Sequence, residues 1–175
     1  PVVENNSVIN ARMGRVALAA GVDTATVDLY GDGLVELTVG GNAAKVLAKN
    51  SGVINAAGGQ VQMTVAAAKS VVDQAINMDG VINASHATVK GGKIILSGGN
   101  AKVNLSGEMN ANGGTGGGSI SVKAQDIDTT NTATLRASAT ESGNAGTIDL
   151  LATDTNSFNG ALIARGAGAD GKGGV

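Results

Sequence analysis

The chain has no cysteine and no tryptophan, a single phenylalanine (Phe158), a single tyrosine (Tyr30) and a single proline, Pro1. Without thiols it can hold no disulfide, thiolate zinc site or redox pair, which fits a polypeptide exported in an unfolded state. Without aromatic anchors, its interior must be filled by aliphatic side chains and alanine. Without proline beyond the first residue, nothing between turns interrupts backbone pairing. Charge is scarce as well: 12 basic and 14 acidic residues leave a net charge of −2 with no basic stripe, so nucleic acid is not an expected partner. The longest apolar run, VALAAGV at 16–22, is far too short for a spanning helix. A chain that opens at Pro1 rather than Met reads as a processed protein or an excised segment.

Glycine is what the chain has in abundance, 28 residues, roughly twice the usual share, and its turns punctuate a repeat. The pentapeptide GVINA stands at 52–56 and again at 80–84. Its apolar-X-Ala core extends the series: INA at 9–11, 54–56 and 82–84, MNA at 109–111, LRA at 135–137 and LIA at 162–164, in steps of 45, 28, 27, 26 and 27 residues. A second column follows each after a Gly-rich turn: RVAL at 15–18, QVQMTV at 60–65, KIIL at 93–96, SISV at 119–122 and TIDL at 147–150. A third is partly visible as KVNL at 102–105 and DID at 126–128. All alternate apolar and polar residues, the signature of strands with one buried face.

A step of about 27 residues leaves no room for crossover helices, so the expected fold is all-β: a right-handed parallel β-helix, or β-solenoid, with three short strands per coil. Residues 1–175 then form a single segment, a fragment of a longer repetitive protein. Ile9, Ile54, Ile82, Met109, Leu135 and Leu162 are expected inside, each followed two residues later by an alanine at a narrow corner. Asn10, Asn55, Asn83, Asn110, Arg136 and Ile163 are expected outside. Two stretches break the pattern. TVAAAKSVVDQAIN at 64–77 predicts a short helix near 66–76, and DLYGDGLVEL at 28–37 predicts a hairpin-like insertion near 28–39 beside Tyr30.

VALAAGVDTATVDLYGDGLVELTV, then NSGVINAAGGQVQMTVAAAKSVVDQAINMDGVINA, then GGKIILSGG and KVNLSGEMNANGGTGGGSISV resemble the region downstream of the secretion domain in filamentous haemagglutinin-like exoproteins of two-partner secretion. The resemblance covers nearly the whole chain. It implies a large protein of a Gram-negative bacterium, secreted or held at the cell surface, exported through an outer-membrane secretion pore and folded outside into an adhesive stalk. The Asn-Pro motifs of that family's secretion domain are missing, so the piece corresponds to stalk. Both ends look uncapped, which would allow end-to-end self-association.

Candidates for chemistry are thin. His86 is the only histidine, which leaves a metal cluster or a nucleophilic triad without partners. Asp126, Asp128, Asp149 and Asp154 alternate with apolar residues on strands, and a pair on neighbouring coils could mimic a glycosidase dyad. Sugar cleavage also needs stacking platforms, which one Tyr and one Phe supply poorly. The glycine runs at 112–119 and 166–174 lack the P-loop spacing and a following helix, and GADG at 168–171 is one partial match to a calcium repeat that requires tandem copies. No catalytic, cofactor-binding or metal residues are therefore assigned, and the expected role is a non-enzymatic adhesin stalk that presents binding surface to a cell, glycan or matrix receptor. Contact specificity is expected near Tyr30, His86 and 141–144. The alternatives are an extracellular filament assembled end to end, a carbohydrate-active enzyme, and a stalk delivering a toxin or capturing haem.

Overall fold

A computed structural model describes residues 2–20, 27–28, 36–37, 47–65 and 76–174, and within them every element is a strand. The first half of the chain forms β1 (Val2–Asn5), β2 (Val8–Asn10), β3 (Arg15–Ala20), β4 (Val27–Asp28), β5 (Glu36–Leu37), β6 (Leu47–Asn50), β7 (Val53–Asn55) and β8 (Gln60–Val65). The second half forms β9 (Ile76–Met78), β10 (Val81–Asn83), β11 (Lys93–Ser97), β12 (Lys102–Leu105), β13 (Glu108–Asn110), β14 (Ser119–Thr129), β15 (Thr134–Arg136), β16 (Thr147–Phe158) and β17 (Ala161–Ile163).

Two parallel sheets carry the structure. One has six strands in the order β17-β15-β13-β10-β7-β2, and its register aligns Ile9, Ile54, Ile82, Met109, Leu135 and Leu162 in one row. The other has nine strands and runs β1-β6-β9-β12-β14-β11-β8-β3, with β16 added on β14. The expectation of a right-handed parallel β-helix with three short strands per coil is corrected by this topology. What would be two separate strand columns are one sheet, which curls until its outer strands β1 and β3 touch and nearly close it.

The cause is local. Between β11 and β12 the chain has Gly98 and Gly99, the latter at φ +59°, a left-handed bend that glycine adopts without a steric penalty. At the equivalent place in β14 stands Lys123-Ala124-Gln125, and in β16 Leu151-Ala152-Thr153, with neither Gly nor Pro. These strands therefore run on for 11 and 12 residues and pair along their length, absorbing the bend as a register shift between Ala124 and Asp126. β14 thus pairs β11 through its first half and β12 through its second, which joins the two columns.

The short helix expected near 66–76 falls outside the described residues except for Ile76, which opens strand β9. Near the expected insertion, Val27 pairs Leu37 and Asp28 pairs Glu36, the one antiparallel strand pair among the described residues. Tyr30 lies outside the described residues.

The core lies between the sheets. Ile54, Ile82, Met109 and Leu135 from the six-stranded sheet meet Val61, Met63, Ile94, Leu96, Val103, Leu105, Ile120, Val122 and Ile127 from the nine-stranded one, all essentially without solvent contact. Each such side chain contributes roughly 1.5–3 kcal/mol by leaving water. Ala56, Ala84, Ala111 and Ala137 are equally buried, as a narrow corner demands. The glycine that opens GVINA has a steric reason: a Cβ on Gly80 would run into the carbonyl oxygen of Gly52, and one on Gly107 into that of Gly80. Two asparagines enter this core and bring their own partners. Asn5 Nδ2 donates to Asn50 Oδ1 at 2.8 Å, while Asn50 Nδ2 donates to the carbonyls of Gly52 and Val81 at 3.3 Å each.

Candidate functional site: a basic groove over a glycine column

The entry to the second strand column repeats a dipeptide in which glycine precedes a polar residue: Gly14-Arg15, Gly59-Gln60, Gly92-Lys93, Gly118-Ser119 and Gly146-Thr147. Pairing of β3, β8, β11, β14 and β16 sets Arg15, Gln60, Lys93, Ser119 and Thr147 in register, so the five glycines lie in one row beside them. With no side chains along that row, a groove of about 500 Å³ runs along the strands' starting edge. A Cβ on Gly118 would strike the Gly92 carbonyl oxygen, so strand spacing demands glycine here as well.

The floor of the groove offers few free polar groups. Gln60, Lys93, Ser119 and Thr147 each donate their N–H to the carbonyl of the glycine in the strand before, at 3.0–3.1 Å. Binding capacity therefore rests on side chains, and those lining the groove include Arg15, Lys93 and Lys90, all exposed, with no carboxylate among the described lining residues. A site of this composition favours an anion over a cation.

His86 sits behind this groove rather than in it. Its Nδ1 accepts the N–H groups of Thr88 and Val89 at 3.3 Å each, so a neutral ring carries its proton on Nε2. The ring packs on Gly58, where a Cβ would collide with its Cδ2. His86 thus holds the turn that carries Lys90 to the groove rim.

Strand pairing sets none of Asp126, Asp128 and Asp149 opposite another aspartate, and Asp154 falls in the register shift between the paired Ala152 and Thr155. Asp149 lies opposite Ser121, Asp126 opposite Thr155 and Asp128 opposite Ser157. Asp128 is engaged by Lys102 Nζ at 2.9 Å, and Asp126 Oδ1 accepts the Thr155 N–H at 3.2 Å. In the glycine run at 112–119, Gly113 donates to the Ser138 carbonyl, Gly114 to His86, Gly117 to Asn144 and Gly118 to Ala111, which occupies the amides that a phosphate cradle would need. Residues 142–144 line a second shallow groove with Thr115, Asp170 and Lys172, and no group of three or more His, Cys, Asp or Glu residues able to hold a metal occurs among the described residues.

Sequence reasoning did not single out the groove. The available signal was the Gly-polar dipeptide one position upstream of each second-column strand, visible once the columns are aligned. No protein-family model, curated protein or solved structure matches the chain.

Proposed function

We propose that this chain is a structural stalk segment of a secreted or cell-surface adhesin of a Gram-negative bacterium, exported through a dedicated outer-membrane pore. The reading rests on the resemblance of its sequence blocks to filamentous haemagglutinin-like exoproteins. The observation that carries it is the row Ile54, Ile82, Met109 and Leu135, buried strand after strand with parallel backbone pairing between each. In such a stack the interstrand hydrogen bonds point along the stacking direction, so tension along it is shared by all bonds of a cross-section. The loops at His86 and 141–144, with the groove cations Lys90, Lys93 and Arg15, form the presented surface, and the receptor that suits it is acidic.

Antibodies against the chain should label intact producing cells and lose that labelling when the partner pore is deleted. Beads coated with the chain should bind target cells, and Lys90→Glu combined with Lys93→Glu should weaken that binding. Labelling seen only after permeabilisation would overturn the reading.

A further inference from the structure

The chain contains two Asn-Gly steps, Asn112-Gly113 and Asn159-Gly160. In such a step the asparagine side-chain carbon lies open to the next backbone nitrogen, because glycine carries no Cβ and explores φ and ψ freely. The fold treats the two steps oppositely. At the first, Asn112 Oδ1 accepts the Ser138 N–H at 2.7 Å, and the Gly113 N–H donates to the Ser138 carbonyl at 3.0 Å. Both groups that would react are held by one residue.

At the second step neither group is held. The Asn159 side chain is exposed, and neither it nor the Gly160 N–H has a hydrogen-bond partner among the described residues. Glycines at the equivalent turn differ: Gly80 donates to the Asn50 carbonyl and Gly107 to that of Met78. Glycine is nonetheless required at 160, where a Cβ would lie 2.8 Å from both the Ala133 carbonyl oxygen and Thr129 Cγ2. Packing thus retains the residue that makes this asparagine reactive.

We propose that Asn159 is a site of spontaneous deamidation that turns a neutral bend between β16 and β17 into an anionic one. The Gly160 nitrogen attacks Cγ of Asn159, and the bond from Cγ to the amide nitrogen breaks. Ammonia leaves with the two amide hydrogens and the proton given up by Gly160. Water then adds to either carbonyl of the cyclic imide and yields aspartate or isoaspartate with loss of one proton. The fold has room for the aspartate product. Residue 159 follows Phe158 as Asp79 follows Met78 in the same row, and Asp79 already accepts the Ser51 hydroxyl at 2.9 Å. Isoaspartate instead lengthens the backbone and loosens β17.

The test is peptide mass mapping of the folded 175-residue chain after incubation in mildly alkaline buffer. Conversion at Asn159 should outpace that at Asn112 by about tenfold or more, since the latter must first break two hydrogen bonds, and the rates should converge in denaturant. Equal rates in the folded chain would overturn the proposal. Asn159→Ser places the residue type found at Ser51 and Ser106 in the same turn, so it should fold and should stop the build-up of acidic species on native isoelectric focusing. Build-up at the unmodified chain's rate would equally overturn it.

Discussion

The tripeptide Val-Ile-Asn occurs three times, at 8–10, 53–55 and 81–83, always in the six-stranded sheet and always in the same register. Ile54 and Ile82 have no solvent contact, whereas Ile9 is only partly buried and Val8 is 57% exposed. At the other side of the sheet, Leu162 occupies the row of Leu135 yet is 45% exposed against zero. Identical residues in identical strands thus differ in burial according to whether they have a neighbour on each side. Burial here is a property of the stack, conferred by adjacent strands.

The largest expected effect follows directly. Ile82→Asp places a carboxylate between Ile54 and Met109 with no partner, and should cost about 4 kcal/mol or more, enough to unfold a marginal domain. Leu162→Asp, in the same row but half open to water, should cost less than about 1.5 kcal/mol. Asn83→Ala, one residue along and facing outward, should cost about 1 kcal/mol or less. Urea denaturation of the three variants measures the contrast, and equal losses at 82 and 162 would show that the row's burial is not what stabilises it.

A second contrast separates two roles of glycine. A Cβ on Gly118 must displace the Gly92 carbonyl and the Gly91 backbone, because strands are packed there at backbone distance, so Gly118→Ala should cost about 2–3 kcal/mol. Gly99 holds φ +59°, and among the described residues no atom lies nearer to an added Cβ than the Val65 carbonyl oxygen at 3.4 Å, so Gly99→Ala should cost the left-handed strain of about 1–2 kcal/mol. Paired urea melts would decide the order.

These two contrasts also show where the sequence could be read. Period-two alternation at a fixed step identified Ile54, Ile82, Met109 and Leu135 as interior and their following alanines as corner residues, because both requirements are local and recur, but it placed Ile9 and Leu162 inside as well, and these are partly buried and 45% exposed. The sheet topology was not legible in the same way. Whether two short strands stay separate depends on a turn residue between them, and the absence of one at 123–125 and 151–153 is a weaker signal than the presence of Gly98-Gly99. The groove escaped for a related reason: its floor consists of missing side chains, and its basic residues Arg15, Lys90 and Lys93 are 75 and more positions apart at the extremes, joined only by pairing. His86 was visible as the lone histidine, but its work as an acceptor for Thr88 and Val89 depends on a turn that spacing alone does not reveal.

A smaller change should act in the opposite direction. Thr129 lies on β14 between Leu105 and Phe158 in a fully buried position, and its Oγ1 has no hydrogen-bond partner among the described residues. Its hydroxyl carries a desolvation cost with no return, whereas valine has the same shape and an equal taste for strands. Thr129→Val should therefore raise stability by about 1 kcal/mol, read as a higher midpoint in urea. A lower midpoint would mean that the hydroxyl finds a partner, such as an internal water, in solution.

The smallest effect belongs to the outermost strand. Glu4 on β1 faces Lys49 on β6 at 3.0 Å, and the hydrogen bond from Lys49, aided by one from Asn6, holds the Glu4 carboxyl below its ordinary value while Glu4 holds the Lys49 ammonium above its own. For the lowered carboxyl, the contribution is present above its unfolded pKa and is lost as pH falls through the folded one. For the raised ammonium, it is present below the unfolded pKa and is lost as pH rises through the folded one. The pair therefore acts across the neutral range, and as a solvent-exposed pair it is weak and screened by salt. Glu4→Gln should leave the global melt nearly unchanged and speed amide exchange in β1 at low salt. That difference should close in concentrated salt, and again as pH drops through the carboxyl's titration; a difference that survives both would assign the protection to backbone pairing with β6 alone.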